Sequence, residues 1–248
     1  MTTEATGRAN GWVQVPHPAQ CPRLRVVCAP HAGASASALN HLAQALAPSA
    51  EALLIQYPGR QGFRGEPLIG DIGTLAGRIR DALGPWTDRP LAVYGHSMGA
   101  AVAFEVARRL EGGGVPVHRL IVSGRRAPAT GLGLTPPPDD EIVAELRELG
   151  TVPPALLDRP GFRKSILSVL RNDYEANAAY RCPPDTTVNC PITFLVADAD
   201  PYIDPGTPAA WEAHTKGGLR TVRFTGGHFF LDDHLAEVAA EITATSTP

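Results

Sequence analysis

The sequence predicts an α/β protein, with a mostly parallel sheet covered by helices on both faces and a block of helices inserted late in the chain. Three observations carry this prediction. Short apolar runs alternate with longer amphipathic stretches, as they do where each strand is followed by a covering helix. One run, Leu91 to Tyr94, leads through "GHSMGA" straight into a helix-forming run, a strand–turn–helix junction. Between Gly124 and Cys190 the alternation stops and only helical patterns remain.

The strand-like runs are Leu24 to Cys28, Ala52 to Gln56, Leu91 to Tyr94, Leu120 to Ser123, Ile192 to Ala197 and Thr221 to Phe224. Between them, Ala36 to Ala47, Ile72 to Leu83, Met98 to Leu110, Pro208 to Thr215 and Leu231 to Ile242 place apolar residues at helical spacing, which gives each a face for the sheet. In the interrupted region "TPPPDD" precedes two helical patterns, Asp139 to Leu149 and Phe162 to Ala179; Pro138 followed by two aspartates reads as a helix start. Helices inserted between successive strands read as a cap over the C-terminal edge of the sheet, where open parallel sheets bind ligands, or as an embellishment without a gating role. The expected organisation is one domain, 1–248, with a helical lid at about 125–190.

A chain of 248 residues with 44% apolar content can bury a substantial core. Twenty-two Lys and Arg against 25 Asp and Glu give a net charge of −3 without a basic run, which disfavours nucleic acid as a partner. Cys21, Cys28, Cys182 and Cys190 lack close C-x-x-C pairing and read as reduced thiols of a cytoplasmic protein. The opening "MTTEATGRANGW" has neither the basic start nor the apolar run of a signal peptide, and no segment approaches the about 18 apolar residues of a membrane span. A soluble monomer is the expectation.

The chemistry centres on Gly95-x-Ser97-x-Gly99. Small residues at both glycines let the backbone turn tightly, so that Ser97 takes a strained conformation with its hydroxyl above the sheet. A serine hydroxyl needs a base, which in this topology follows the acid in the chain. His228, in "FTGGHFFLDD", directly follows the last strand-like run and is the candidate base. His214 and His234 fall inside helical patterns, where surface histidines are commoner, and His96 is expected to point away from Ser97 and serve packing. For the acid, "TFLVADADP" offers Asp198 and Asp200; Asp200, beyond the strand end, is better placed to turn inward and hold the imidazole. Oxyanion donors are expected from the amide of Met98 and from Ala32 or His31 in "CAPHAGASAS".

Six blocks in order, "VVCAPHAGASAS", "IQYPGRQGFRGEP", "YGHSMGAAVAFEVARRL", "VSGRRAP", "DADP" and "GGHFFL", cover most of the chain. Together they resemble the type II thioesterases that accompany polyketide synthases and non-ribosomal peptide synthetases. The resemblance implies an α/β-hydrolase fold with a helical lid, and hydrolysis of acyl groups from the phosphopantetheine arm of acyl or peptidyl carrier proteins. It implies a triad of Ser97, Asp200 and His228, an oxyanion site at Met98 and the "PHAG" loop, and no metal or bound cofactor. Arg60, Arg64, Arg125 and Arg126 are then candidates to face an acidic carrier protein or its phosphate, or else ordinary surface arginines. Ile166, Val169 and Leu170 would line an acyl channel or pack the lid to the body. Ala34 stands where the family commonly has a glycine, which would narrow the acyl entrance. An esterase or acyltransferase of the same fold, acting on free small-molecule esters, is the alternative reading.

Overall fold

The apolar runs pair side by side in the computed structural model, which describes residues 11–131, 135–148 and 152–244. The strands are β1 (Val13–Gln14), β2 (Arg25–Ala29), β3 (Glu51–Ile55), β4 (Leu91–His96), β5 (Val117–Ser123), β6 (Ile192–Ala197) and β7 (Leu219–Phe224). Among the described residues they form one sheet in the order β1-β3-β2-β4-β5-β6-β7. Every pair is parallel except β1 with β3. The edge strand β1 was not legible, because two residues carry no periodicity. β3 begins one residue earlier than its apolar run, at Glu51, whose carboxylate meets Arg25 of β2 directly opposite in register at 2.7 Å. This buried pair is completed by bonds from Ala19 N–H to Glu51 at 2.9 Å and from Arg25 to the Trp86 carbonyl at 3.0 Å and the Asp88 side chain. Such satisfaction is what makes a buried ion pair tolerable.

Alternate residues of each strand point to opposite faces. Val27, Leu53, Val93, Val122 and Phe194 join one core with helices α2 (Ile72–Ala82) and α3 (Met98–Gly112). Val26, Leu54, Tyr94, Ile121 and Leu195 join the other with α1 (Asn40–Leu46) and the C-terminal helix (Leu235–Thr243). α2 opens on Asp71, whose side chain accepts from the Thr74 amide at 2.6 Å; the Thr74 side chain first, and then this amide, hold its carboxyl below the usual carboxylate range. α3 is buried on nearly every side; its one buried carboxylate, Glu105, accepts from Tyr180 Oη and Arg108, both at 2.8 Å, and from Arg109.

Between β5 and β6 the chain carries α4 (Asp139–Glu148), the short α5 (Pro154–Leu157) and the long α6 (Pro160–Ala179), followed after β6 by α7 (Thr207–Glu212); the C-terminal helix is α8. α6 starts on a proline whose missing N–H would have had no partner in a first turn. Leu149, the expected end of α4, lies outside the described residues. Ile142, Val143, Leu167 and Leu170 form a small core of their own between α4 and α6, so Leu170 packs the inserted region together instead of lining a channel. α8 begins at Leu235, later than expected, because Phe230–Asp232 form a tight 3-10 turn.

The parallel order places the C-terminal ends of β4, β5, β6 and β7 along one edge, with His96 paired to Ser123 and Ala197 to Phe224. The loops leaving this edge carry Ser97, Arg125, Asp200 and His228.

Candidate active site

Ser97 adopts φ +54°, ψ −123° between β4 and α3, a conformation costly for any residue with a side chain. The close approach that enforces it involves both flanking glycines. A Cβ on Gly95 would stand 2.0 Å from the Gly99 carbonyl oxygen, and one on Gly99 would stand 2.2 Å from the Ala29 carbonyl oxygen. The Ser97 amide donates to the Ser123 carbonyl at 2.9 Å, extending the β4–β5 pairing into the turn. Its side chain opens onto a cavity of about 500 Å³ whose walls include His31, Ala32, Arg125, Tyr174 and His228.

His228 Nδ1 lies 3.0 Å from Asp200 Oδ2. An ionised carboxylate only accepts, so Nδ1 carries the proton and Nε2 keeps its lone pair. Asp200 is buried, and its other oxygen accepts from the Tyr202 amide at 3.0 Å. Asp198 does something different: its Oδ1 accepts from the Gly226 amide at 2.9 Å and closes the loop on which His228 stands. The structure therefore brings His228 and Ser97 to one cavity, with Asp200 buried on the far nitrogen of His228, and leaves Asp198 as a loop brace.

Met98 opens α3, and the first amides of a helix have no partner within it. In the loop after β2, the Gly33 amide donates to Asp173 Oδ2 at 2.8 Å and the Ala34 amide to the His31 carbonyl at 3.2 Å. Ala32 and His31 both border the cavity. Ala34 is buried and does not border it, so it narrows no entrance there.

Two histidine expectations, for His214 and His234, are corrected. His96 is buried, its ring 4.7 Å from that of His228 and its Nδ1 2.9 Å from Ser123 Oγ. It packs against His228. Burial, reinforced by His228 and His31, holds its pKa well below the ordinary value. His31 is pushed down to about 4, mainly by burial and then by His228 nearby. His214 lies past the end of α7 and is buried, with Nδ1 2.7 Å from the Thr186 carbonyl. His234 precedes α8 and contacts Thr225 through Nε2 at 3.1–3.2 Å.

Two of the four arginines cannot meet a docking protein. Arg60 is buried and bonds Asp173 through both terminal nitrogens, at 2.6 and 3.0 Å. Arg125 is 1% exposed, bonds the Asn177 side chain and lies over the Tyr180 ring; burial pushes its pKa down to about 10. Arg126 is 3.5 Å from Asp204, and Arg64 is exposed. Two contributors escaped sequence reading. Tyr202 sets its ring edge-on to His228 at 4.8 Å, and Asp173 anchors the loop after β2. Only Asp173 left a signal: a carboxylate on the apolar stripe of a helix, three residues from both Leu170 and Ala176.

A mostly parallel sheet, a strained serine at a strand–helix turn and an inserted helical region define the α/β-hydrolase fold. The family model for the thioesterase domain matches residues 24–245. A probable cadicidin biosynthesis thioesterase of Streptomyces griseus is 42% identical over 99% of this chain and 69% of its own length. Thioesterase PikA5 of Streptomyces venezuelae is 40% identical over 94% of this chain and 84% of its own. The structure of BorB, a type II thioesterase from the borrelidin biosynthetic cluster, superposes with a TM-score of 0.83 at 37% identity, over 94% of this chain and 98% of that one. The chain belongs to the thioesterase family and is a type II thioesterase.

Proposed function

We propose that this enzyme hydrolyses acyl thioesters from the phosphopantetheine arm of acyl or peptidyl carrier proteins in polyketide or non-ribosomal peptide biosynthesis, clearing aberrant or stalled acyl groups, with Ser97, His228 and Asp200 as its triad. The observation that carries the reading is a strained Ser97 sharing one cavity with a His228 whose far nitrogen is held by buried Asp200.

In this mechanism His228 Nε2 takes the Ser97 proton as Oγ attacks the thioester carbonyl. The amides of Met98 and Ala32 donate to the oxyanion; Ala32 is preferred to His31 because it precedes the anchored Gly33 amide within the turn. The carbon–sulfur bond breaks, the thiolate takes the proton from His228, and the acyl group stays on Ser97. A thiol of pKa about 8.5 is a good leaving group at neutral pH. Water then gives a proton to His228, attacks the acyl-serine carbonyl and releases the carboxylic acid as the proton returns to Ser97. No step draws on a metal or bound cofactor. The helices between β5 and β6 act as a lid, with Tyr174, Asn177 and Ala178 of α6 on the cavity wall. The four free cysteines, three of them buried, fit a reducing cytoplasmic setting, and among the described residues no helix is long and apolar enough to cross a membrane.

The test is release of acetyl, propionyl and longer acyl groups from a phosphopantetheinyl carrier protein by the wild type and by Ser97→Ala. Turnover that vanishes with Ser97→Ala supports the reading. Cleavage of simple esters with no turnover of the carrier-bound thioester replaces it with the esterase alternative.

A further inference from the structure

The loop that supplies the Ala32 amide is built around one turn, His31–Ala34, closed by the Ala34 amide bonding the His31 carbonyl at 3.2 Å. Gly33, third in this turn, has φ +76°, and Ala32 is not among the described non-glycine residues with positive φ. A negative φ followed by a positive one is the type II form. Its central peptide, between Ala32 and Gly33, is flipped relative to the commoner type I form, and its N–H is taken up by a side chain from elsewhere in the chain.

Four bonds secure the loop. Tyr57 Oη donates to the Pro30 carbonyl at 3.0 Å, Arg60 donates to the Ala34 carbonyl at 3.2 Å, and the Ala36 amide donates to Gln56 Oε1 at 3.2 Å. These three partners all come from the segment after β3. The fourth bond is the Gly33 amide to Asp173 Oδ2 at 2.8 Å, and it alone reaches the loop from the inserted helix α6. Asp173 is 3% exposed and receives four donors in all: both terminal nitrogens of Arg60, the Gly33 amide and Asn172 Nδ2 at 3.1 Å. One helical turn earlier, Leu170 packs so closely that a Cβ on Gly33 would fall 2.3 Å from its Cδ2.

We propose that Asp173 is a positioning residue for thioester hydrolysis, holding the Gly33 peptide so that the Ala32 amide is set for the oxyanion, and thereby making this half of the oxyanion site depend on the seating of α6. The inference rests on the reading of Ser97 and Ala32 given above. Arg60 has a supporting part: it neutralises the buried carboxylate and keeps it aimed at the loop. A buried carboxylate left without that cation would be costly, which explains an arginine buried among loop residues.

The experiment compares wild type with Asp173→Leu/Arg60→Met, which replaces the ion pair by apolar groups and leaves no uncompensated charge, and with Asp173→Asn, which keeps one oxygen for the Gly33 amide. Active sites are first counted by fluorophosphonate titration. Then kcat, KM, the pH profile and the affinity for a trifluoromethyl ketone analogue of the thioester are measured. Removing a donor outright costs about 100- to 1000-fold, so loosening one predicts a ~10- to 100-fold fall in kcat per titrated site for the double variant, and a smaller fall for Asp173→Asn. The ketone, which forms a tetrahedral oxyanion on serine, should lose affinity by the same factor, while KM and the pH profile stay put. A merely structural part for Asp173 would lower the titrated fraction and leave kcat per site at the wild-type value, which overturns the proposal; so does a loss confined to KM. Should the double variant fail to fold, Asp173→Asn decides by the same two readouts. Wild type inert toward carrier-bound thioesters would instead overturn the underlying function, a result separate from any variant's behaviour.

Discussion

The imidazoles of His96 and His228 lie 4.7 Å apart, centroid to centroid, and tilted by 47°. Two cations at that distance would repel by about 3.5 kcal/mol at an effective dielectric near 20. In the proposed mechanism His228 becomes an imidazolium at each step, so a charged neighbour would oppose the reaction directly. Burial prevents this by keeping His96 neutral, and its ring packs as an uncharged wall.

That arrangement makes folding stability depend on pH. His31 is pushed down to about 4 in the fold, and His96 lies well below the ordinary value near 6.5. Between these values the unfolded chain binds more protons than the native one. The stabilisation is therefore complete above about pH 6.5 and is lost as pH falls from there toward 4, by up to ~1.4 kcal/mol per pH unit for each histidine. Urea unfolding at pH 7.5, 6 and 5 should show this decline, and His31→Gln should make it shallower. A free energy of unfolding that stays level from pH 7.5 to 5 contradicts the assignment.

The two aspartates after β6 should separate cleanly. Asp200→Asn leaves the geometry but removes the charge that stabilises the imidazolium and fixes its tautomer, so kcat should fall by about 1000- to 10000-fold. Asp198→Asn keeps an oxygen for the Gly226 amide and should stay within about tenfold of wild type, the loss being one of loop order. Steady-state turnover of an acyl-carrier thioester decides between them; equal losses at both positions would remove the distinction.

The parts of this site that the sequence announces are those whose chemistry depends on local spacing. Gly95 and Gly99 flank Ser97 because the turn itself requires them, and Asp200 and His228 sit in the first loops after their strands. What stayed hidden depends on partners far away in the chain. Arg60 and Arg125 read as surface cations until Asp173 and Asn177, 113 and 52 residues away, bury them. Glu51 stands just before its apolar run and so was left out of β3, because a carboxylate is acceptable there only with Arg25 opposite. His96 packs against His228, which comes from a loop 132 residues further along the chain, a contact no pattern in β4 encodes.

The elbow glycines give a stability contrast. In Gly99→Ala the new methyl would meet the carbonyl oxygens of Ala29 and Pro30 at 2.2 and 2.7 Å, backbone atoms that cannot yield without moving β2. A loss of about 3 kcal/mol or more is expected, or failure to fold. Gly112→Ala, at the exposed end of α3 with nothing within 4 Å, should be neutral or stabilising by up to ~1 kcal/mol. For a domain of this size each kcal/mol moves Tm by about 2–4 °C, so thermal melts should place the two variants some 6 °C or more apart. Melts that coincide would mean that the turn has slack the structure does not show.

Acyl preference should respond to the α6 wall of the cavity. Ala178 borders the roughly 500 Å³ space together with Ser97 and Tyr174, and it is partly exposed. Ala178→Leu adds three carbons to that wall, the bulk of a short acyl tail. Acetyl and propionyl thioesters, which keep their reacting carbonyl at Ser97 and extend little beyond it, should retain kcat/KM within about threefold, whereas an octanoyl group should lose at least tenfold. Each methylene denied burial costs ~0.8 kcal/mol, so two or three of them suffice for that loss. Competition between acetyl- and octanoyl-loaded carrier protein in one reaction measures the ratio directly. An unchanged ratio would mean that acyl chains leave Ser97 by another wall, with Arg125 and Pro137 the next lining residues to alter.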